Sequence, residues 1–246
     1  MVLKAVLLDF NGVIINDEAI HGQLIEELLV AENLKPNPRD LTECCLGRSD
    51  AACLSDLLRR QGRVVAPAYL DKLLNRKAAR YQEILSSLEK LPLYPGLDDL
   101  IYQLRAAQLK LAIVSGARRS EIEAVLSTLA WGRHVGLIVA MEDLPTGVSK
   151  PAPDGYLLAI ERLNQQFTDL ALQPDECLAV EDSFAGIEAA KAAGIPVLGV
   201  AHVYPYQMIH RRATWAIDHL YELNLDWLKP YYSEPLCGAL LQDPKQ

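Results

Sequence analysis

Five short runs of apolar residues punctuate the chain, each too brief for a helix of its own and each rich in Val, Leu and Ile: VLKAVLLDF (2–10), LKLAIVS (109–115), VGLIVA (135–140), CLAVEDS (177–183) and IPVLGV (195–200). Near-continuous apolar runs of this length predict strands covered on both faces, as in a parallel sheet. Between them the apolar positions recur at helical spacing, in DDLIYQLRAAQ (98–108), RSEIEAVLSTLA (119–130), DGYLLAIERLNQ (154–165) and FAGIEAAKAAG (184–194). Gly194 followed by Pro196 gives a helix stop and a strand start. Strand and helix alternate, so the fold class is α/β with a doubly wound parallel sheet.

One region breaks the alternation. From residue 16 to residue 90 the pattern is helical throughout, in EAIHGQLIEELLVAE (18–32), SDAACLSDLLRRQG (49–62) and PAYLDKLLNRKAARYQEILSSLEK (67–90). It predicts an inserted all-α unit over 16–90, flanked by a core unit made of 1–15 and 91–246, with Pro92 and Pro95-Gly96 marking the return. The prolines and weak periodicity after Trp227 predict a surface strap or a frayed end.

Composition narrows the function classes. Half of the 246 residues are hydrophobic, enough for a sizeable core, and the net charge of −8 carries no basic stripe, which argues against a nucleic-acid partner. No apolar segment approaches the roughly 20 residues that cross a bilayer, and the N-terminal apolar run is broken by Asp9 without a cleavage site. These features predict a cytoplasmic protein with no membrane partner. The five cysteines (Cys44, Cys45, Cys53, Cys177, Cys237) are odd in number and without CxxC spacing, and read as small buried thiols in a reducing compartment.

Candidate chemistry collects where strands end, because open α/β sheets bind ligands outside the carboxyl ends of their strands. Strand one ends at Asp9, strand two at Ser115-Gly116, and strand four at Glu181-Asp182-Ser183, while a loop before a helix carries Lys150-Pro151. Singly, Ser115 reads as a helix cap, Lys150 as a solvated loop lysine and Glu181-Asp182 as a capping pair. Together on one sheet edge, three convergent carboxylates would repel unless a hard dication such as Mg²⁺ joined them. Ser115, nearby main-chain N–H groups and Lys150 would hold a phosphate. An Asp nucleophile, a metal and a phosphate clamp make an aspartyl-phosphate mechanism.

The stretches DFNGV, IVSGA, SKPAPDGY and EDSFAGIEAAKAAG resemble, in order and spacing, the four motifs of the haloacid dehalogenase superfamily, and the helical insert after the first resembles the β-phosphoglucomutase-like subgroup with its sugar-phosphate phosphatases. The resemblance implies a Rossmann-like core with a helical cap, and a hydrolase acting on a small phosphorylated metabolite with Mg²⁺. It implies Asp9 as nucleophile and metal ligand, with the main-chain carbonyl of Asn11 as a further ligand. Ser115, Gly116 and Lys150 would bind phosphate, and Glu181 and Asp182 would complete the metal site. Arg48, His21 and Lys77 would be cap residues that meet substrate; read without the resemblance, they are a capping arginine, a hinge histidine and a solvated helix lysine.

The first motif departs from the family. Asp-x-Asp becomes Asp9-Phe10-Asn11, and Asn16 stands where family phosphatases carry Asp. Asn11 occupies the place of the general acid/base and cannot shuttle a proton at neutral pH. Three outcomes are open: a slow phosphatase favouring good leaving groups, a catalytically inactive protein that binds a phosphometabolite or a protein partner, and a sugar-phosphate mutase. Two further family chemistries fit less well. A metal-free dehalogenase has no use for Glu181-Asp182, and a Schiff-base phosphonate hydrolase needs a desolvated lysine, for which only Lys72 or Lys77 of the insert comes forward.

Overall fold

The structure, a computed structural model, describes residues 2–233. Six strands, β1 (Ala5–Leu8), β2 (Lys110–Val114), β3 (Leu137–Val139), β4 (Cys177–Glu181), β5 (Val197–Val200) and β6 (Trp215–Ile217), form one parallel sheet in the order β3-β2-β1-β4-β5-β6. The five strands read from sequence are present. The sixth is bounded directly by Thr214 and Asp218 and so shows no apolar run, whereas β3, equally short, lies inside the run 135–140.

The strands are apolar on both faces because both faces are covered. In β1, Val6 and Leu8 pack with Leu100, Ile101 and Leu104 of α5 (Leu97–Ala106) and Ile122 and Val125 of α6 (Arg119–Leu126). Ala5 and Leu7 point the other way, to Tyr156, Ala159 and Leu163 of α7 (Asp154–Gln166) and Ile187 and Ala190 of α8 (Phe184–Ala192). Successive side chains of a strand serve opposite layers, and β1, between β2 and β4, anchors both.

Between β1 and α5 run four helices: α1 (Glu18–Ala31), α2 (Pro38–Cys45), α3 (Asp50–Arg60) and α4 (Pro67–Ser87). They share an apolar cluster that includes Ile25, Leu28, Leu54, Leu57, Leu73 and Leu74. α2 is absent from the sequence reading; Asn37 caps it by accepting the Arg39 N–H, and Pro38 opens it. The two connections to this insert lie side by side. The Asn16 N–H donates to the Pro92 carbonyl at 2.7 Å, the Tyr94 N–H to the Ile14 carbonyl at 3.2 Å, and Ile15 bridges to Leu93.

Two expectations are corrected. The stretch expected to fray after Trp227 begins inside α10 (Leu225–Ser233), which follows a short helix, α9 (Tyr206–His210), and β6. Leu228 and Tyr232 are buried, and the Tyr232 hydroxyl donates to the Cys177 carbonyl at 2.8 Å, tying this helix to the start of β4. The remainder of that stretch, with Cys237, lies outside the described residues. The cysteines are not all free thiols either. Cys45 and Cys53 are disulfide-bonded, while Cys44 and Cys177 are free and buried. The turn Leu46–Ser49 folds α3 back onto the end of α2 and brings the two Cα atoms to 4.6 Å, a separation that spacing along the chain does not reveal. Among the described residues no helix is long and apolar enough to cross a membrane.

Closing a loop with a sequence separation of 8 stabilises a fold by about 2.5 kcal/mol in the chain-entropy account. Urea unfolding with and without a dithiol reductant should differ by about that amount, and the Cys45→Ser variant should match the reduced protein and be insensitive to reductant. Equal stability in all three would show that the bond contributes nothing.

Candidate active site

The strand order reverses between β1 and β4, so the chain leaves these two neighbouring strands toward opposite layers, α5 on one and α8 on the other, and opens a crevice at their carboxyl ends. Asp9 follows β1 directly. Its N–H continues the ladder to the Val180 carbonyl, and one carboxylate oxygen accepts the Phe10 N–H at 2.8 Å, which fixes the rotamer. Glu181 ends β4 and Asp182 follows it. All three acids are buried, and one carboxylate oxygen from each falls within a 4.8 Å cluster.

Lys150 is the cation at their centre. Its Nζ lies 2.9 Å from Asp9 Oδ1 and 2.6 Å from Glu181 Oε1, and the Tyr156 hydroxyl donates to the same Glu181 oxygen. The lysine is buried, not a solvated loop residue. Burial alone would depress its ammonium; Asp9 and Glu181 outweigh that and hold it above its ordinary value. One lysine does not neutralise three acids. Burial, and after it Glu181, pushes the Asp9 carboxyl up to about 7 against the pull of Lys150. Asp182 is raised well above the carboxylate range by burial and then by Asp9 and Glu181. A dry set of hard oxygen donors carrying uncompensated charge fits a dication such as Mg²⁺.

Glycine makes the crowding possible. Gly12 has φ +79°, and a Cβ there would lie 1.9 Å from Asp182 Oδ2; a Cβ on Gly186 would lie 2.0 Å from Glu181 Oε2. The helix after β4 is capped by Ser183, which accepts the Gly186 N–H at 3.0 Å, so Glu181 and Asp182 are not the capping pair.

Ser115, at the end of β2, is buried and accepts the Ala117 N–H at 3.0 Å. Gly116 meets the insert: a Cβ there would lie 2.8 Å from the Ser49 main chain, whose N–H donates to Ser149 Oγ at 2.8 Å beside Lys150. Between insert and sheet edge opens a cavity of about 330 Å³, lined by Asp9, Asn11 and Gly116 from one side and Glu18, His21, Arg48 and Asp50 from the other. Arg48 reaches this cavity but is engaged with Asp56 at 2.8 Å and the Cys44 carbonyl at 3.0 Å.

Asn11 faces a buried polar chain that the sequence did not disclose. Its Nδ2 donates to both oxygens of Asp17 at 3.0 Å and lies 3.0 Å from His21 Nε2. Asp17 also receives the Tyr81 hydroxyl at 2.5 Å and His21 Nε2 at 3.1 Å. Burial would raise the Asp17 carboxyl, but His21, Tyr81 and Asn11 hold it below the usual range. Beyond His21, its Nδ1 meets Lys77 Nζ at 2.6 Å, and Lys77 reaches Asp50 at 2.5 Å. Lys77 is therefore a fully buried lysine, contrary to the solvated residue its helix position suggested, while Lys72 is exposed. His21 and Asp50 both crowd its nitrogen, which disfavours a Schiff-base role. Asn16, singled out in the sequence, is exposed; the carboxylate in contact with Asn11 belongs to its neighbour. The available signal was the i, i+4 spacing of Asp17 and His21 and of Lys77 and Tyr81.

The profile of the family described as haloacid dehalogenase-like hydrolase matches residues 3–194. The chain is 31% identical over 229 residues to protein CbbY of Rhodobacter capsulatus, covering 89% of this chain and 95% of that protein. It is 32% identical over 206 residues to β-phosphoglucomutase of Bacillus subtilis, covering 82% and 85%. Its fold matches CbbY of Rhodobacter sphaeroides, an aspartate-to-asparagine mutant solved with xylulose 1,5-bisphosphate, with a TM-score of 0.76 at 24% identity over 90% of this chain and 96% of that one.

A carboxyl whose ionisation is harder in the fold than out of it costs stability as pH rises through its shifted value, which for Asp9 means toward about 7. Asp17 is shifted the other way and is already ionised over this range, so it does not oppose the trend. Without divalent cations the melting temperature should fall between pH 5 and pH 8. Millimolar Mg²⁺ should raise it more at pH 8 than at pH 5, and at a hundred times its dissociation constant should stabilise the fold by about 2.7 kcal/mol. A Mg²⁺ shift that is absent, or that is equal at both pH values, would count against the carboxylate cluster as the binding site.

Proposed function

The chain belongs to the haloacid dehalogenase-like hydrolase family, and from that premise we propose that it is a Mg²⁺-dependent phosphatase of small phosphorylated metabolites, slowed by the amide at position 11. The observation that carries the reading is the convergence of Asp9, Lys150, Glu181 and Asp182 in one dry cluster at the cavity wall. A set built only for stability has no reason to bury three acids around one lysine.

Asp9 is the nucleophile. One of its oxygens bonds to phosphorus as the bond from phosphorus to the ester oxygen breaks, and the leaving group takes the electron pair. Water then attacks the phosphorus of the phospho-Asp9, releasing inorganic phosphate and restoring the carboxylate. Lys150, Ser115 and the main chain at Gly116 hold the phosphoryl oxygens. Asp9, Glu181, Asp182 and, by family resemblance, the Asn11 carbonyl would hold Mg²⁺, which when bound would supply charge that offsets the phosphate and the carboxylates. A cavity of about 330 Å³ is the size of a small-ligand site, and the bisphosphate held by the solved CbbY relative belongs to the same class.

Asn11 sets the limits of the chemistry. A positioned acid/base is worth about 10²–10⁴-fold, or about 3–5 kcal/mol of barrier. Aryl, enol and acyl phosphates leave without a proton, whereas sugar alkoxides do not. The same deficit argues against a mutase, which must return a proton to and from a sugar hydroxyl at every turnover. It also favours a second reading, a binding protein that retains the phosphate clamp and has lost turnover.

Phosphate release from p-nitrophenyl phosphate should require Mg²⁺ and fall to background in Asp9→Ala, and the aryl ester should exceed a hexose phosphate in kcat by about 10²-fold or more. Micromolar binding of a sugar bisphosphate without turnover of either ester would replace this reading with the binding one.

A further inference from the structure

Asp17 stands at the position immediately before α1, where an aspartate ordinarily caps the helix by accepting a main-chain N–H of its first turn. It accepts none. Its carboxylate turns inward, fully buried, and is surrounded by side-chain donors: the Asn11 amide nitrogen at 3.0 Å from both oxygens, the Tyr81 hydroxyl at 2.5 Å and His21 Nε2 at 3.1 Å. With Lys77 Nζ donating to His21 Nδ1 at 2.6 Å, the His21 proton sits on Nε2 and points at Asp17. Every neighbour of Asp17 in this set is therefore a donor.

This arrangement decides which way the Asn11 amide lies. Oxygen and nitrogen of an amide are assigned by their partners, and only the nitrogen can face two carboxylate oxygens without setting lone pairs against lone pairs. The Asn11 oxygen is consequently turned away from Asp17, and among the described residues it accepts no hydrogen bond. Asn11 and Asp9 line the same cavity. We propose that Asp17 is a positioning residue of this site, locking the Asn11 amide with its nitrogen on the buried carboxylate and its oxygen toward the reacting phosphate, so that residues 11 and 17 form a matched amide–carboxylate pair exchangeable only together. The proposal rests on the phosphatase reading for what the amide oxygen does: it accepts a hydrogen bond from the attacking water and orients it without taking its proton.

It follows that the amide is not a simple loss at an otherwise intact site. Restoring a carboxylate at position 11 alone sets two carboxylates about 3 Å apart in a buried place, where like charges are costly. Placing an amide at 17 alone sets two amide nitrogens against each other. Exchanging both restores one donor pair against one acceptor pair with the chain of contacts reversed.

The test is a cycle of Asn11→Asp, Asp17→Asn and the double variant, measured without metal by melting temperature and with Mg²⁺ by kcat and KM on p-nitrophenyl phosphate. Each single change should lower the melting temperature by about 4 °C or more, and the double variant should return to within about 2 °C of wild type. The double variant should gain about 10²-fold in kcat, as a restored acid/base does, while Asn11→Asp alone gains less than tenfold. If Asp17→Asn does not fold, Asp17→Ser keeps one acceptor in a smaller volume and should lower kcat by tenfold or more at unchanged KM. Additive melting shifts, or a full gain from Asn11→Asp alone, would overturn the pairing while leaving the phosphatase reading intact. Compensating melting shifts with no turnover in any variant would sustain the pairing and remove the catalytic role of the amide oxygen together with that reading.

Discussion

The rest of the structure depends on the burial of Asp9, Glu181 and Asp182 around the single ammonium of Lys150. Three acids in a dry place cannot all be ionised with one lysine as partner, and the upward push on Asp9 and Asp182 records the imbalance. The fold accepts it only because the surroundings leave no alternative. Asp9 and Glu181 are fixed by the ladders of β1 and β4, and Gly12 and Gly186 leave no room for a side chain that could relieve the crowding. A site in this condition is prepared for cations and for the anions that cations bring with them.

What could be read from the chain followed from what is local. Five strands were legible because their apolar runs are continuous, and Asp9, Ser115 and the Glu181-Asp182 pair because each directly follows a run in the same sheet. β6 and α2 were not, one being cut off by Thr214 and Asp218 without a surrounding apolar run and the other short and polar on most of its surface. The harder residues to read were those whose meaning is set across the insert. Nothing near Lys77 marks it as buried; its surroundings come from α1, α3 and α6, which lie far away in sequence. Asp17 was hidden by its position, which has an ordinary capping explanation that the structure rejects. The Cys45–Cys53 bond was hidden because the turn between α2 and α3 does not announce its direction.

Asn11 sits where these two environments meet. Toward the sheet lies an acidic cluster short of positive charge; toward the insert lies a chain running Asp17, His21, Lys77, Asp50 in which two acids bracket two bases and burial is compensated. A neutral side chain at the junction keeps the two apart electrostatically. It gives hydrogen bonds to the insert and leaves the charge balance of the sheet edge unaltered, which an ionised residue would not do.

The paired connections at Asn16–Pro92 and Ile14–Tyr94 have a consequence for how such a molecule can change over generations. The chain departs for the insert and returns at nearly the same point, held by main-chain hydrogen bonds that ask nothing of the side chains beyond. For the sheet, the insert is a loop whose ends are already closed, and the entropic penalty of lengthening such a loop grows only slowly with its size. Helices could be added, shortened or exchanged there without disturbing a strand. The acidic sheet edge and the helical wall of the cavity are thereby carried by stretches of sequence that can drift separately, with the short seam where Gly116 meets Ser49 as the place where they must still agree.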